Sequence, residues 1–183
     1  MEDQYKQAWQ MLTSQLSQST QKGLPMFASG ILFWFVAGIA GVFFPEEAAV
    51  WVYIFGTAMV FPLGILLSKI FGADLMNRHN PLAMLCGLIG GLQLLFAPIV
   101  ILALIDHPQW MPLIVGVLTG AHFLPFVAIY RSRTYLFQSI GTVAAAALCG
   151  ISVHSYQITP FAIMAVYVVT FIGLAYEQQR KER

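Results

Sequence analysis

The sequence predicts an all-α fold, a polytopic membrane bundle of six transmembrane helices preceded by an N-terminal amphipathic helix. Three observations predict it: the composition, the lengths of the apolar runs, and the distribution of basic residues. Of the 183 residues, 58% are hydrophobic and 9% are charged, whereas soluble domains carry about 25% charged residues. A soluble chain this short cannot hide so much apolar surface in one core. Six apolar runs, at 24–44, 48–71, 82–105, 110–130, 134–154 and 158–176, each reach the ~20 residues that a spanning helix needs. All nine Lys and Arg then fall on one side, and Glu46, Glu47 and Asp106 mark the other. The positive-inside rule puts that basic side, with both termini, in the cytoplasm. One helix more or fewer would scatter the later basic residues over both faces.

The segment 1–23 is polar with a helical pattern. Tyr5, Trp9, Leu12 and Leu16 line one face, which fits either a helix lying on the membrane surface or one packed on the bundle. It has no apolar stretch followed by a small-residue cleavage site, so it does not read as a cleaved signal peptide. Residues 24–176 form the membrane domain, and 177–183 a basic cytoplasmic tail. The links between runs are short, which predicts that sequential helices are antiparallel neighbours. Trp51 and Trp110 sit at the outer interface as an aromatic belt. Gly87 and Gly91 in the third run and Gly116 and Gly120 in the fourth each form a GxxxG pair, which predicts close crossing of those two helices. Pro62, Pro98 and Pro125 fall inside runs, where each removes a backbone donor and either kinks the helix or lines a cavity.

Lipid-facing surfaces need no polar groups, so polar stripes predict an interior seam. The fifth run carries Tyr135, Gln138, Thr142, Ala145, Cys149 and Ser152 at alternating spacings of three and four. The second carries Tyr53, Thr57, Gly64 and Ser68, the third Cys86, Gly90, Gln93 and Ala97, and the fourth Thr119, His122, Phe126 and Tyr130. His122 lies within about 3 Å of the midplane of its run by the helical rise, and Gln93 is near the middle of the third. His122, Gln93, Thr119, Thr142 and Gln138 are therefore the candidate residues for binding a small molecule or lipid. The competing reading is helix packing, with a neutral His122 bonded to Gln93 or Thr119.

Other chemistries find less support. Glu46, Glu47, Asp106, His107 and His154 gather at the outer side without a spacing diagnostic of a metal site. Asp74, Asn77, Arg78, His79 and Asn80 form a cytoplasmic loop that fits an anionic headgroup or plain positive-inside charge. Cys86 and Cys149 lie in apolar runs and read as small hydrophobes. There is no GxSxG, HExxH, CxxC or Walker pattern, no basic face for nucleic acid, and no cofactor is expected. Three functions stay open. One is a small transporter or ligand-binding membrane protein, alone or as a homo-oligomer in the bilayer. The second is a lipid-directed enzyme with an outer metal site, and the third a non-catalytic accessory subunit.

Phe61-Pro62-Leu63-Gly64 with Ser68-Lys69, Asn80-Pro81-Leu82-Ala83, Gly120-Ala121-His122-Phe123-Leu124-Pro125-Phe126, and Tyr130 with Ser132 resemble a family of small bacterial integral membrane proteins of unknown function. The Gly-Ala-His-Phe-Leu-Pro run is the most specific part. The resemblance implies a bacterial inner-membrane setting and carries no assigned activity or catalytic residue.

Overall fold

The computed structural model describes residues 2–152 and 155–182, and every regular element among them is helical. The α-helices are α1 (Glu2–Ser19), α2 (Leu24–Phe43), α3 (Glu46–Phe71), α4 (Pro81–Gly91), α5 (Ala97–Asp106), α6 (Met111–His122), α7 (Leu124–Tyr130), α8 (Arg133–Gly150) and α9 (Ser155–Glu182). Short 3-10 turns at Gln21–Gly23, Leu92–Phe96 and Pro108–Trp110 join some of them. Five helical stretches are long and apolar enough to cross a membrane: Gln21–Phe43, Glu46–Phe71, Pro81–Asp106, Pro108–Tyr130 and Ser155–Arg180. This is the architecture of a multi-pass membrane protein.

The sixth expected span corresponds to α8, which does not reach that apolarity. The reason is its buried face, which holds Tyr135, Gln138, Ser139 and Thr142, while Leu136, Phe137, Ile140 and Leu148 are exposed on the other. A face turned toward neighbouring helices need not be apolar. α8 runs antiparallel between α6 and α9, α9 lies between α8 and α2, and α2 between α9 and α3. Trp34 and Phe27 of α2, Tyr53 of α3, and Tyr156 and Ile163 of α9 are fully buried along these contacts.

Two packing expectations are corrected. α3 and α4 are consecutive, yet they do not pack as a pair; the nine-residue link 72–80 is long enough to let them part. Nor do the two GxxxG pairs meet. A side chain at Gly87 or Gly91 would touch nothing within 4 Å, whereas one at Gly120 would strike the Val143 backbone nitrogen at 2.9 Å and the Ser139 carbonyl at 3.1 Å. The close crossing is α6 against α8, where glycine is needed because backbone meets backbone.

α1 resolves its two readings by halves. Residues 2–11 are exposed on every side, Tyr5 and Trp9 included, whereas Thr13, Leu16, Ser17 and Thr20 are buried against the bundle. The Asn80 amide donates to the Leu12 carbonyl at 2.8 Å, and the Asp74 N–H to the Ser19 carbonyl at 2.7 Å. The chain then turns through Gln21, Lys22 and Gly23, all left-handed, with φ of 48°, 50° and 74°. Non-glycine residues resist this conformation by roughly 1–2 kcal/mol each, so something must hold it. Lys22 is 3% exposed and its Nζ meets Glu177 Oε2 at 2.5 Å. Ser132 donates to the same carboxylate at 2.9 Å and Thr134 at 2.5 Å, and the Tyr135 hydroxyl donates to the Lys22 carbonyl at 2.7 Å. The tail expected from 177 onward thus starts with a residue bound into the bundle, and α9 continues through it to Glu182.

These ties gather residues 12–22, 69–80, 130–134 and 177 at one end of the bundle. The opposite end holds the α2–α3 turn and the contacts of Tyr156 and Ser155 with the carbonyls of Pro108 and Gln109, at 2.6 and 3.2 Å. Among the described residues Lys22, Lys69, Arg131 and Arg133 lie at the first end, and Glu46, Glu47 and Asp106 at the second.

Two outcomes follow from this packing. Glu177→Ala leaves a buried ammonium without its counter-charge and costs about 3 kcal/mol, read as a lower unfolding temperature in detergent; the double variant Lys22→Met/Glu177→Leu recovers part of it. Gly120→Ala overpacks the α6–α8 crossing by about 1–3 kcal/mol, while Gly87→Ala unfolds at the wild-type temperature.

Candidate functional site

Two prolines build the site. Proline lacks the N–H that continues a helix, and its ring crowds the preceding turn. Before Pro98 the third span loosens into the 3-10 turn Leu92–Phe96, and before Pro125 the fourth breaks between α6 and α7. Pro62 and Pro160, by contrast, sit inside unbroken helices. The two breaks carry Gln93 and His122, and both residues face one interior cavity of about 160 Å³.

At the second break the Phe123 N–H bonds to the Gly120 carbonyl at 3.2 Å instead of continuing the α-helical pattern to Thr119. The Thr119 carbonyl instead lies 3.3 Å from His122 Nδ1. A carbonyl only accepts, so Nδ1 is the protonated nitrogen, and Nε2 of the neutral ring is left as an acceptor. The imidazole is flanked by Phe123 and Phe126, with ring centroids 4.6 and 5.5 Å away.

Much of the remaining wall is aromatic. Phe27 and Trp34 of α2, Tyr135 of α8 and Tyr167 of α9 line it together with Phe123 and Phe126. Tyr130 and Tyr135 stack face to face at 5.1 Å and 6°, forming its floor near the basic end. There the hydroxyls are chained: Thr20 donates to the Leu16 carbonyl at 2.7 Å, so its oxygen accepts from Tyr130 at 3.0 Å, and the Cys86 thiol lies 4.0 Å from Tyr130. The indole N–H of Trp34 is buried beside the Tyr167 hydroxyl. No described lining residue is Asp, Glu, Lys or Arg. One side of the wall consists of exposed Phe61, Met76 and Gly87, so the mouth opens where α3 and α4 part.

Of the expected site residues, His122, Gln93 and Thr119 come together around this cavity. Gln138 and Thr142 lie elsewhere, fully buried at the α8–α9 contact. There the Gln138 amide donates to Thr142 at 3.1 Å and accepts from Thr170 at 2.7 Å, a closed network that ties two helices. Of the aromatic wall, Phe126, Tyr130 and Tyr135 stand in the polar stripes of the sequence, whereas Phe27, Trp34, Phe123 and Tyr167 do not. Trp34, a lone tryptophan in the middle of the first run, is the sequence signal for these. Among the described residues no three His, Cys, Asp or Glu are grouped to hold a metal ion; His154 lies outside them.

The separation of the two polar groups is measurable. Gln138→Leu strands the Thr142 and Thr170 hydroxyls in the bundle and costs about 1–3 kcal/mol in thermal unfolding, whereas Thr119→Ala, at the cavity wall, leaves the unfolding temperature within about 0.5 kcal/mol of wild type, the range usual away from core features.

No curated protein and no solved structure gives a significant match to the chain. A family profile does, over residues 10–177, from the buried half of α1 to the carboxylate that pairs with Lys22. The chain therefore belongs to DUF7010, a family of unknown function.

Proposed function

We propose that this chain is a small ligand-binding membrane protein, of transporter or receptor type, whose binding site is the cavity between α3 and α4. The observation that carries the reading is the convergence of two broken helices on one enclosed space. Gln93 and His122 are delivered to it from separate spans, and Thr119 stands one turn before His122. Helix packing alone does not call for a void at the point where both spans lose their hydrogen-bonding pattern. Such breaks at membrane depth are tolerated where they line a cavity, and polar residues there mark pathways or ligands.

The reading includes six crossings, with both termini on the cytoplasmic side of a bacterial inner membrane. It is supported by the course of α8, which runs antiparallel beside α6 and α9, and by the separation of basic and acidic ends. A mouth between α3 and α4 faces the bilayer, so the ligand arrives from the lipid phase.

Mass spectrometry of extracts from the protein purified in mild detergent tests the reading. The expected result is a small molecule enriched over bulk lipid in the wild type and depleted in His122→Ala and Gln93→Ala. Equal recovery from all three proteins, each with a wild-type unfolding profile, rejects the site and favours an accessory subunit.

A further inference from the structure

Resting on that binding reading, we propose that the cavity takes an uncharged, lipid-soluble aromatic alcohol of about one ring, a phenol-type molecule. Four features of the cavity lead there. Its size is about 160 Å³, and an apolar protein cavity of ~150 Å³ accommodates benzene. Its walls include the rings of Phe27, Trp34, Phe123, Phe126, Tyr135 and Tyr167, whose faces and edges favour a flat π-system over a flexible chain. Among the described lining residues no side chain carries a full charge of either sign, so neither an ammonium nor a carboxylate finds a partner, and desolvating one unpaired is costly.

The fourth feature concerns hydrogen bonding. His122 Nδ1 is committed to the Thr119 carbonyl, which leaves Nε2 as an acceptor in need of a donor. A hydroxyl is the small neutral group that donates one hydrogen to it and still accepts through its oxygen. An ether or a quinone carbonyl has no hydrogen to give and leaves Nε2 unmatched. Gln93, which can donate or accept, stands at the same cavity. The way in agrees with this chemistry: the mouth is edged by Phe61, Met76 and Gly87, apolar groups that admit a solute dissolved in lipid.

The glycines of α4 supply a clean test. Gly90 lines the cavity, and a Cβ built on it would touch nothing within 4 Å, so Gly90→Leu starts its side chain in open space at the wall and is used to fill it. Calorimetry in nanodiscs compares phenol, anisole, cyclohexanol, benzoate and benzylammonium, with the heat seen in Gly90→Leu subtracted as partition into lipid. The expected result is saturable binding of phenol. Anisole, without the donor, binds about tenfold more weakly, as the loss of one hydrogen bond implies. In His122→Phe the preference of phenol over anisole disappears. Should cyclohexanol or a charged probe bind as well as phenol, in a manner abolished by Gly90→Leu, the ligand class is wrong and the cavity reading stands. Should no probe bind the wild type above the Gly90→Leu signal, both fall. A phenol preference that survives in His122→Phe overturns the role given to Nε2.

Discussion

A buried ammonium must have a counter-charge, and in this bundle that requirement decides how the ends of four elements meet. Lys22 lies at the junction of α1 and α2, Glu177 on α9, and Ser132 and Thr134 at the start of α8. Removing charge from water is expensive unless pairing and hydrogen bonds are complete. Here the carboxylate receives an ammonium and two hydroxyls, while Tyr135 takes up the Lys22 carbonyl. The pair holds the left-handed turn Gln21–Gly23 in place, and that turn folds α1 back under the bundle. Without it, Thr20 would not reach Tyr130, and the cavity would lose its floor.

The cavity itself comes from backbone chemistry. A proline within a spanning helix leaves a carbonyl unpaired, and in the membrane interior water is not at hand to compensate. In α3 and α9 the helix continues past its proline without a break. In the third and fourth spans the pattern gives way instead. Where the Phe123 N–H turns to Gly120, His122 meets the Thr119 carbonyl with its own side chain, and that bond sets the tautomer of the ring. Polar groups at the other seam behave differently: Gln138, Thr142 and Thr170 saturate each other and have little left for anything else. Two sets of buried polar residues with similar sequence spacing thus serve opposite ends, one closing a contact and the other leaving valences open.

Particular elements show how far the sequence could be read. The helical runs and the clustering of basic residues were legible because both are one-dimensional quantities, length and charge order along the chain. α8 marks the limit of hydropathy: a helix whose inner face is polar can still expose Leu136, Phe137, Ile140 and Leu148 on the other, and the average over the two faces hides the apolar one. The glycine pairs mark the limit of motif reading. Gly116 and Gly120 pack closely, as expected, but on α8, because GxxxG specifies a flat surface and says nothing of the partner. Gly87 and Gly91 carry the same pattern and face open space.

The sequence by itself determined a chain of several apolar helices and marked His122, Gln93 and Thr119 as polar groups inside them, since burying polar or charged groups in lipid constrains every residue locally. Only the tertiary structure decided which polar residues share a space. It put Gln138 and Thr142 in a closed network apart from His122, paired Lys22 with Glu177 across 155 positions, and separated α3 from α4 to leave a mouth. Those outcomes depend on which helix lies against which, and that is settled by shape complementarity over the whole bundle rather than by spacing within any one helix.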